Sequence, residues 1–501
     1  MHSLEEDPKT YQQAMNCNFS DEWSKSIQTK LDNMERHCVW SPTTTSSEVE
    51  KALSTTWVFK RKTDEDGNLN KFKACLFTSL RLLLTLCHIN NFPIEQMDVK
   101  CAFLNGKPDK ELYIKRPDGY NKYKPKKYFK LNQSLYGLKQ GPQYWHKELK
   151  NALSKMGLCP SQTNPCLFYS PSSSKQMLLY VHVDDLIFGG SWKNEFKTTI
   201  KTHFDMDGLG RIKYALGIRI LQKDEYISLI QDKFINNILQ EFQLTNSRHT
   251  KCPLPSNIKS FRIIPTKEIS PPFNYQRAIG LLQYLVQCTR PDLAFSTTFL
   301  SQYLKNPKDL HYNAVKHVLT YLNSTKHYKL RLGQNILRQS DKSIIAFTDS
   351  DWGGSEGYKS FSASIIYYHG VIGWRSHKQK VVFLLSSEAK YNTMTEGTQD
   401  LQWISNLIFE ITNKRKQQIL YSDNQSTISI ASNHIYHHGT THVNFRLHFI
   451  RNLIEEENLK LEYLDTNKMI ADSLTKNNNY FKSINHLRLI FGNQDLSSKG
   501  V

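Results

Sequence analysis

The stretch M-L-L-Y-V-H-V-D-D-L-I-F-G-G (177–190) decides how the rest of the chain is read. Residues 177–183 are aliphatic, aromatic and β-branched, the composition of a buried strand. Asp184 and Asp185 then make a turn, 186–188 return as a second strand, and Gly189 and Gly190 close the unit. A β-hairpin is predicted, with two carboxylates at its tip. An Asp-Asp pair in a turn is by itself ordinary turn chemistry. Its meaning depends on what else the chain can place beside it.

Upstream, Asp98 ends a short strand-like run in Q-M-D-V-K-C-A-F-L-N-G (96–106). Between the two, Trp145, Leu149, Leu153 and Met156 recur at helical spacing, and Gly157 stops that helix. Further on, 275–328 reads as helix, broken at T-R-P-D (289–292) and N-P-K-D (306–309). After Ser343 the order changes. A strand at 343–348 precedes a hairpin of 361–368 and 371–375 across His369-Gly370. A long helix (387–411), a strand (417–421), helices at 426–432 and 445–456, and a strand at 460–464 follow. That succession predicts an α/β domain on a mixed sheet.

Composition narrows the class. The chain has 501 residues, with 65 Lys and Arg against 46 Asp and Glu, a formal net charge of +19. Such an excess favours a polyanionic partner, and 39% apolar residues still suffice for real cores. No repeat of solenoid length is visible. The longest apolar stretch, 80–89, is broken by Arg81 and falls well short of the ~20 residues of a membrane span. The first residues, M-H-S-L-E-E-D-P-K, contain no apolar leader. Nine cysteines with no C-x-x-C argue against a disulfide framework and a structural zinc site. A basic intracellular protein, cytoplasmic or nuclear and not membrane-bound, is expected.

A second set of acids lies after Ser343: Asp349 in F-T-D-S-D-W, Glu388 in S-S-E-A-K-Y, Asp423 in Y-S-D-N-Q-S and Asp472 in A-D-S-L-T-K. Two fall at strand ends and two at helix starts, so one edge of a mixed sheet can gather all four. Gathered carboxylates repel unless cations lie among them, which suggests a two-metal hydrolytic centre. Asp351 competes with Asp349, and motif position favours Asp349. Asp98, Asp184 and Asp185 likewise suit the paired Mg²⁺ ions of nucleotidyl transfer. His437, His438, His442 and His448 have no cysteine partners, so zinc is the weaker reading there.

Taken in order, W-V-F-K-R-K (57–62), the Asp98 motif, S-L-Y-G-L-K-Q-G-P-Q-Y-W (134–145), Y-V-H-V-D-D-L-I-F-G-G (180–190) and Y-A-L-G-I-R-I (214–220) resemble the reverse transcriptase of copia-type LTR retrotransposons. The four later acids, by order and context, resemble the ribonuclease H domain that follows it. This resemblance implies that Asp98, Asp184 and Asp185 are the palm carboxylates. It implies that Phe103 excludes a ribose 2′-hydroxyl, although Phe103 reads also as a core aromatic. It places Gly137 to Pro142 in the loop and helix start under the templating pair, with Lys139 near the phosphates, and Gly217 in a strand turn that grips the primer. Lys60 and Lys73 would meet phosphate. Asp349, Glu388, Asp423 and Asp472 would hold the nuclease metals, and His442 would help at the scissile phosphate.

The implied cofactor is Mg²⁺, two ions per site, with Mn²⁺ a substitute. The implied partners are an RNA template, a DNA primer, an RNA–DNA hybrid and dNTPs. Virus-like particles in the cytoplasm, or the nucleus, would be the setting. The basic run 107–130, with K-Y-K-P-K-K-Y-F-K at 122–130, reads either as a solvated loop or as a template or primer contact.

The chain departs from the family in four places. His182 stands where a tyrosine often precedes V-D-D, and Thr441 where a lysine usually precedes the histidine. Cys75 replaces an arginine that would clamp a triphosphate, a bidentate role a thiol cannot fill. From F-K-A-C-L (72–76) the chain runs straight into a helix, so roughly 20 residues of fingers hairpin are missing.

The expected fold is a multidomain α+β and α/β chain. A helical lead (1–56) precedes right-hand polymerase fingers and palm (57–255). A helical thumb or connection (256–335), a ribonuclease H-like mixed-sheet domain (336–480) and a tail (481–501) follow. The expected function is an RNA-directed DNA polymerase with a linked ribonuclease H, as part of a larger polyprotein. The alternative is a decayed remnant that is polymerase-inactive, with at most ribonuclease H activity or nucleic-acid binding.

Overall fold

The structure, a computed structural model of the chain, describes residues 7–43, 52–57, 74–124, 126–172, 175–247, 249–255, 270–337, 343–353, 357–383, 385–432, 441–477 and 480–492. Side chains at 74–76, 441–447 and 480–483 are outside this description. The chain forms two compact units that alternate along the sequence. The first comprises 1–66, 94–160 and 165–211, and the second 67–93, 161–164 and 212–501.

The first unit opens with helices Tyr11–Met15 and Ser20–Arg36. The strand Trp40–Thr43 pairs with Tyr128–Leu131, which pairs with Tyr113–Lys115, in a three-stranded antiparallel sheet. Trp40, Phe129 and Leu131 on these strands bury against Leu31 and Ala14 of the helices. A six-stranded antiparallel sheet forms the centre of the unit. Its order is Cys159–Pro160, Leu167–Tyr169, Met177–His182, Asp185–Gly190, Glu95–Val99, Met206–Arg211. Helix Gly141–Lys155 begins on Pro142, whose fixed φ suits a first turn. It buries Trp145, Leu149 and Leu153 against Met97, Leu179, Val181 and Leu186 of the sheet.

The second unit contains the 80–89 stretch, within helix Ala74–Ile89. Phe77, Leu80, Leu82, Leu83, Leu84 and Leu86 are all buried. A helix apolar on every side belongs in an interior. Arg81, the one cation of the run, is buried as well. Its guanidinium donates to the carbonyls of Gln287 (2.9 Å) and Cys288 (3.0 Å) and to that of Ile372 (2.7 Å), and stacks 3.9 Å over Trp374. Gln287 and Cys288 close helix Tyr275–Cys288, where carbonyls have no partner within the helix. Burial lowers the Arg81 pKa to about 9.

Helices Tyr275–Cys288, Ala294–Ser301 and Asp309–Ser324 form the expected helical segment and share one core through Leu282, Leu285, Val315 and Leu319. A four-stranded sheet, Tyr214–Ala215, Ile218–Gln222, Ile227–Ile230 and Leu330–Leu332, belongs to the same unit.

The mixed sheet expected after Ser343 has five strands in the order Val371–Lys378, Phe361–Tyr367, Ser343–Ser350, Gln417–Ser422, Leu459–Tyr463. The first three are antiparallel and the last two join in parallel. Val371–Lys378 outruns its expected end at 375, because pairing with Phe361–Tyr367 continues to Phe361 opposite Lys378. Helix Ser386–Thr412 lies on the sheet, and Gly397 allows a close approach. A Cβ there would stand 2.3 Å from Thr348 Cγ2. Among the described residues, no helix is long and apolar enough to cross a membrane.

Two candidate active sites

Register builds the first site. Asp98, near the end of Glu95–Val99, pairs directly with Asp185 on one side and with Asp207 on the other. Directly opposed residues of antiparallel strands share a face, so Asp98 and Asp185 are neighbours by construction. The hairpin differs from expectation by one residue. His182 pairs with Asp185, so Val183 and Asp184 make the turn and Asp185 opens the return strand. Two-residue hairpin loops need positive φ, and Val183 supplies φ 55°. A β-branched residue there is strained, as backbones at functional sites often are.

Three contacts hold this tip. Trp145 Nε1 donates to the Val183 carbonyl at 2.6 Å. Val99 N donates to the Asp184 carbonyl at 2.9 Å. Gln96 Nε2 donates to Asp185 Oδ1 at 2.7 Å. Burial raises the Asp185 pKa to about 6; the Gln96 bond opposes this, and the charges of Asp184 and Asp98 add to it. Burial lowers the pKa of His182, with Asp184 opposing.

Phe103 lies half-buried in the short helical turn Ala102–Asn105, after Cys101 in a left-handed conformation. Its ring packs 4.7 Å from that of Tyr136. Burial, then Asp184, Cys101 and Asp98, push the Tyr136 phenol up to about 12. Tyr136 therefore belongs with this site. The S-L-Y-G string contained it, but nothing local marked it as a neighbour of the acids.

Gly137 (φ +97°) and the exposed Lys139 lead into helix Gly141–Lys155. Gly217 lies in the second unit. At φ +69°, a Cβ there would meet Tyr284 Oη at 2.3 Å, and that hydroxyl donates to the Leu216 carbonyl at 2.6 Å. Lys60 and Lys73, and the side chain of Cys75, lie outside the described residues, as do His437, His438 and the side chain of His442. His448 is exposed on helix Thr441–Glu455.

The basic run folds into the three-stranded sheet and the loop between two of its strands. Lys115, Arg116, Asp118, Tyr120, Lys124, Lys127 and Tyr128 line a hollow of about 440 Å³. Lys122 and Lys130 are paired, with Glu35 and Glu111.

The second site forms at the edge of the mixed sheet. Asp349 is at the end of the central strand Ser343–Ser350, and Asp423 follows the adjacent parallel strand Gln417–Ser422. Lys390, in the first turns of helix Ser386–Thr412, lies between them. Its Nζ is 3.3 Å from Asp349 Oδ1 and also pairs with Asp423 Oδ1. The outer oxygens are fixed by hydroxyls, Thr475 Oγ1 to Asp349 Oδ2 at 2.7 Å and Thr466 Oγ1 to Asp423 Oδ2 at 2.9 Å. Asp472, in the short helix Ile470–Leu474, is fully buried and pairs with Lys476.

Asp349, Asp423 and Asp472 are thus brought into one electrostatic group with Lys390 and Lys476. Both lysine pKa values are raised: burial opposes the charged ammonium, but the aspartates outweigh it. Glu388 starts the helix that carries Lys390 and stays half-exposed, and no hydrogen bond or ion pair joins it to the aspartates. Asp351 has another task, its Oδ1 accepting the backbone N–H of Phe361. Lys390, Thr466, Thr475 and Lys476 were missed in the sequence; only S-S-E-A-K-Y and S-L-T-K, adjacent to the acids, carried any signal.

Among the described residues, no three His, Cys, Asp or Glu side chains are gathered closely enough to hold a metal ion. In the sheet-edge site, ammonium groups stand among the acids. The donors are nonetheless hard oxygens, which suit Mg²⁺. The place between Asp349 and Asp423 already holds a positive charge, so the residues fit a cation.

Residues 75–256 match the family described as reverse transcriptase (RNA-dependent DNA polymerase). The chain is 30% identical over 95% of its length to the retrovirus-related Pol polyprotein from transposon TNT 1-94 of Nicotiana tabacum, covering 38% of that protein. It is 29% identical over 94% of its length to the Pol polyprotein from transposon RE2 of Arabidopsis thaliana, covering 34%. The chain thus spans a little over a third of the length of these relatives.

Among solved structures, the foamy viral protease-reverse transcriptase in complex with RNA/DNA hybrid matches 89% of this chain and 54% of its own, at 13% identity and a TM-score of 0.48. LC11-RNase H1, isolated from compost, matches 27% of this chain and 93% of its own, at 16% identity and a TM-score of 0.22. Both are distant likenesses. Residues 75–256 thus match the reverse transcriptase family, in a chain similar over nearly its whole length to retrovirus-related Pol polyproteins from plant transposons.

Proposed function

We propose that the chain is an RNA-directed DNA polymerase with a linked ribonuclease H. It would act on an RNA template, a DNA primer, dNTPs and the resulting RNA–DNA hybrid in an intracellular setting. The observation that carries this is the strand register that sets Asp98 opposite Asp185, with Asp184 in the adjoining turn.

Asp98, Asp184 and Asp185 would hold Mg²⁺ in the first site, and Asp349, Glu388, Asp423 and Asp472 in the second. When bound, paired Mg²⁺ ions supply charge neutralisation for the attacking and leaving oxygens of phosphoryl chemistry. The chain's own residues do the rest. Gln96 and Trp145 fix the hairpin tip, so the carboxylates do not rearrange as charge develops. Phe103 and Tyr136 form an apolar wall beside them, suited to the face of a deoxyribose. Thr475 and Thr466 aim one oxygen each of Asp349 and Asp423 toward a shared point. The hollow at 115–128, with Lys115, Arg116, Lys124 and Lys127, suits a phosphate backbone.

Primer extension on an RNA template with Mg²⁺, and cleavage of a labelled hybrid, test both halves. Extension is expected and should drop at least about a thousandfold in Asp98→Asn, with cleavage retained. Cleavage should be lost in Asp423→Asn, with extension retained. Extension that survives Asp98→Asn overturns the palm assignment. Cleavage without extension in the unaltered chain would leave only the nuclease half.

A further inference from the structure

We propose that Lys390 is a built-in counter-ion of the nuclease site, which a divalent cation must displace in order to load. The proposal rests on the nuclease reading above and adds a control element to it.

The geometry is specific. Asp349 and Asp423 end neighbouring parallel strands, and their side chains are about as buried as side chains become, 1% and 5% exposed. Each carboxylate is divided in function. One oxygen is fixed outward by a threonine hydroxyl, and the other faces Lys390. Thr475 and Thr466 come from segments well away in sequence from the helix that carries the lysine. The inward oxygens therefore converge on one point whether or not the lysine is present. An ammonium occupies that point, at the end of a side chain 19% exposed.

Two buried carboxylates with inward oxygens on one centre cannot remain without a cation, since the desolvation and repulsion would be severe. A lysine meets the need with a compact point charge. The same oxygens are the ones a hard divalent ion would require. Lysine and metal therefore compete for the same two oxygens. Lys390 has a flexible four-carbon stem that can withdraw toward solvent. The site thus holds a cation at rest, one ammonium against two carboxylates, and metal entry is an exchange of one cation for another rather than a simple addition. Lys476 does the same for Asp472 from a more exposed position.

The test is Mn²⁺ binding to the full-length chain carrying Asp98→Asn and Asp185→Asn, so that ions held by the palm carboxylates are not counted. That chain is the unaltered reference, and binding is followed by electron paramagnetic resonance of the free ion, without nucleic acid and independent of activity. Lys390→Gln removes the charge while keeping a hydrogen-bonding head, and Lys390→Arg keeps the charge. Mn²⁺ should bind Lys390→Gln at least tenfold more tightly than the unaltered chain. Lys390→Arg should stay within threefold of it.

Equal tightening in both variants would indicate relief of crowding, and weakening in both would indicate that Lys390 merely positions the acids. Either overturns the proposal, as does unchanged affinity in Lys390→Gln. If Lys390→Gln is unstable without metal, the rise of its thermal midpoint on adding Mn²⁺ is the second reading. It should exceed that of the unaltered chain, and a smaller rise overturns the proposal. Asp349→Asn and Asp423→Asn separate the two levels of inference. Mn²⁺ binding that survives both shows that the ion binds elsewhere, and then the nuclease assignment itself fails.

Discussion

Asp185 shows what gathering carboxylates at one hairpin tip costs. Its carboxyl is raised to about 6 by burial, against the Gln96 hydrogen bond, with Asp184 and Asp98 adding their charges. An unfolded aspartate titrates near 3.9. A raised folded value means that the stabilising contribution is fully present below about pH 4 and is lost as the pH rises through about 6. Asp185→Asn should therefore raise the unfolding midpoint of the metal-free chain at pH 7 to 8. The gain should be about 1–3 kcal/mol and should vanish below about pH 4. Melts from pH 3.5 to 8 with a chelator check this. A variant less stable at pH 8 would mean that the charge is a net stabiliser in place.

The hairpin was legible from its residues, because a buried strand has a restricted composition and the two acids interrupt it. Gln96 was visible two positions before Asp98, but its task depends on cross-strand placement that no local pattern encodes. Lys390 was still less legible. Its role is set by two strands that meet it from far along the chain.

At the scale of elements, the break T-R-P-D (289–292) proves to be a hub. Arg290 and Asp292 are buried and bidentate, Nε to Oδ1 at 2.9 Å and Nη2 to Oδ2 at 2.7 Å. Tyr321 Oη donates to Asp292 Oδ2 at 2.9 Å, and Arg290 Nη2 donates to Thr325 Oγ1 at 2.6 Å. The turn after helix Tyr275–Cys288 is thereby tied to the end of helix Asp309–Ser324. Removing one partner leaves a buried charge alone, which typically costs 3–5 kcal/mol. Asp292→Asn and Arg290→Met should each destabilise the second unit by about that amount in urea titrations. The double variant Arg290→Met with Asp292→Leu should lose less than the sum of the two. Additive losses would mean that the pair is not coupled.

Sequence alone identified the helices and their breaks here. Proline and glycine punctuate locally, whereas the hydrogen bonds that tie this turn to Tyr321 and Thr325 have no periodic signature. The strands of the mixed sheet were legible to within a few residues for the same local reason. Their order was not, since it depends on pairing between segments far apart in the chain.

On the scale of the whole molecule, the +19 charge is its most general property. Binding to a single-stranded oligonucleotide should weaken as salt rises, each phosphate contact adding about 0.7 to the logarithmic slope. Neutralising Lys115, Lys124 and Lys127 to glutamine should reduce that slope by about 2. Neutralising the exposed Lys150 and Lys155 on helix Gly141–Lys155 should leave it nearly unchanged. Fluorescence anisotropy between 50 and 300 mM salt (roughly the usual range) reads both. Equal effects would make the hollow no more than part of a diffuse positive field.

The alternation of the two units along the chain has a consequence for synthesis. Helix Ala74–Ile89 leaves the ribosome early, yet it belongs to the unit completed last. Arg81 must wait for the carbonyl of Ile372, 291 residues later. At about 5–20 residues per second, that is an interval of some tens of seconds. Throughout it, the shelter of one of the most apolar segments of the protein is incomplete. The nascent chain therefore carries a sticky segment whose shelter is still being translated. Its exposure during synthesis follows from chain topology, before any question of catalysis arises.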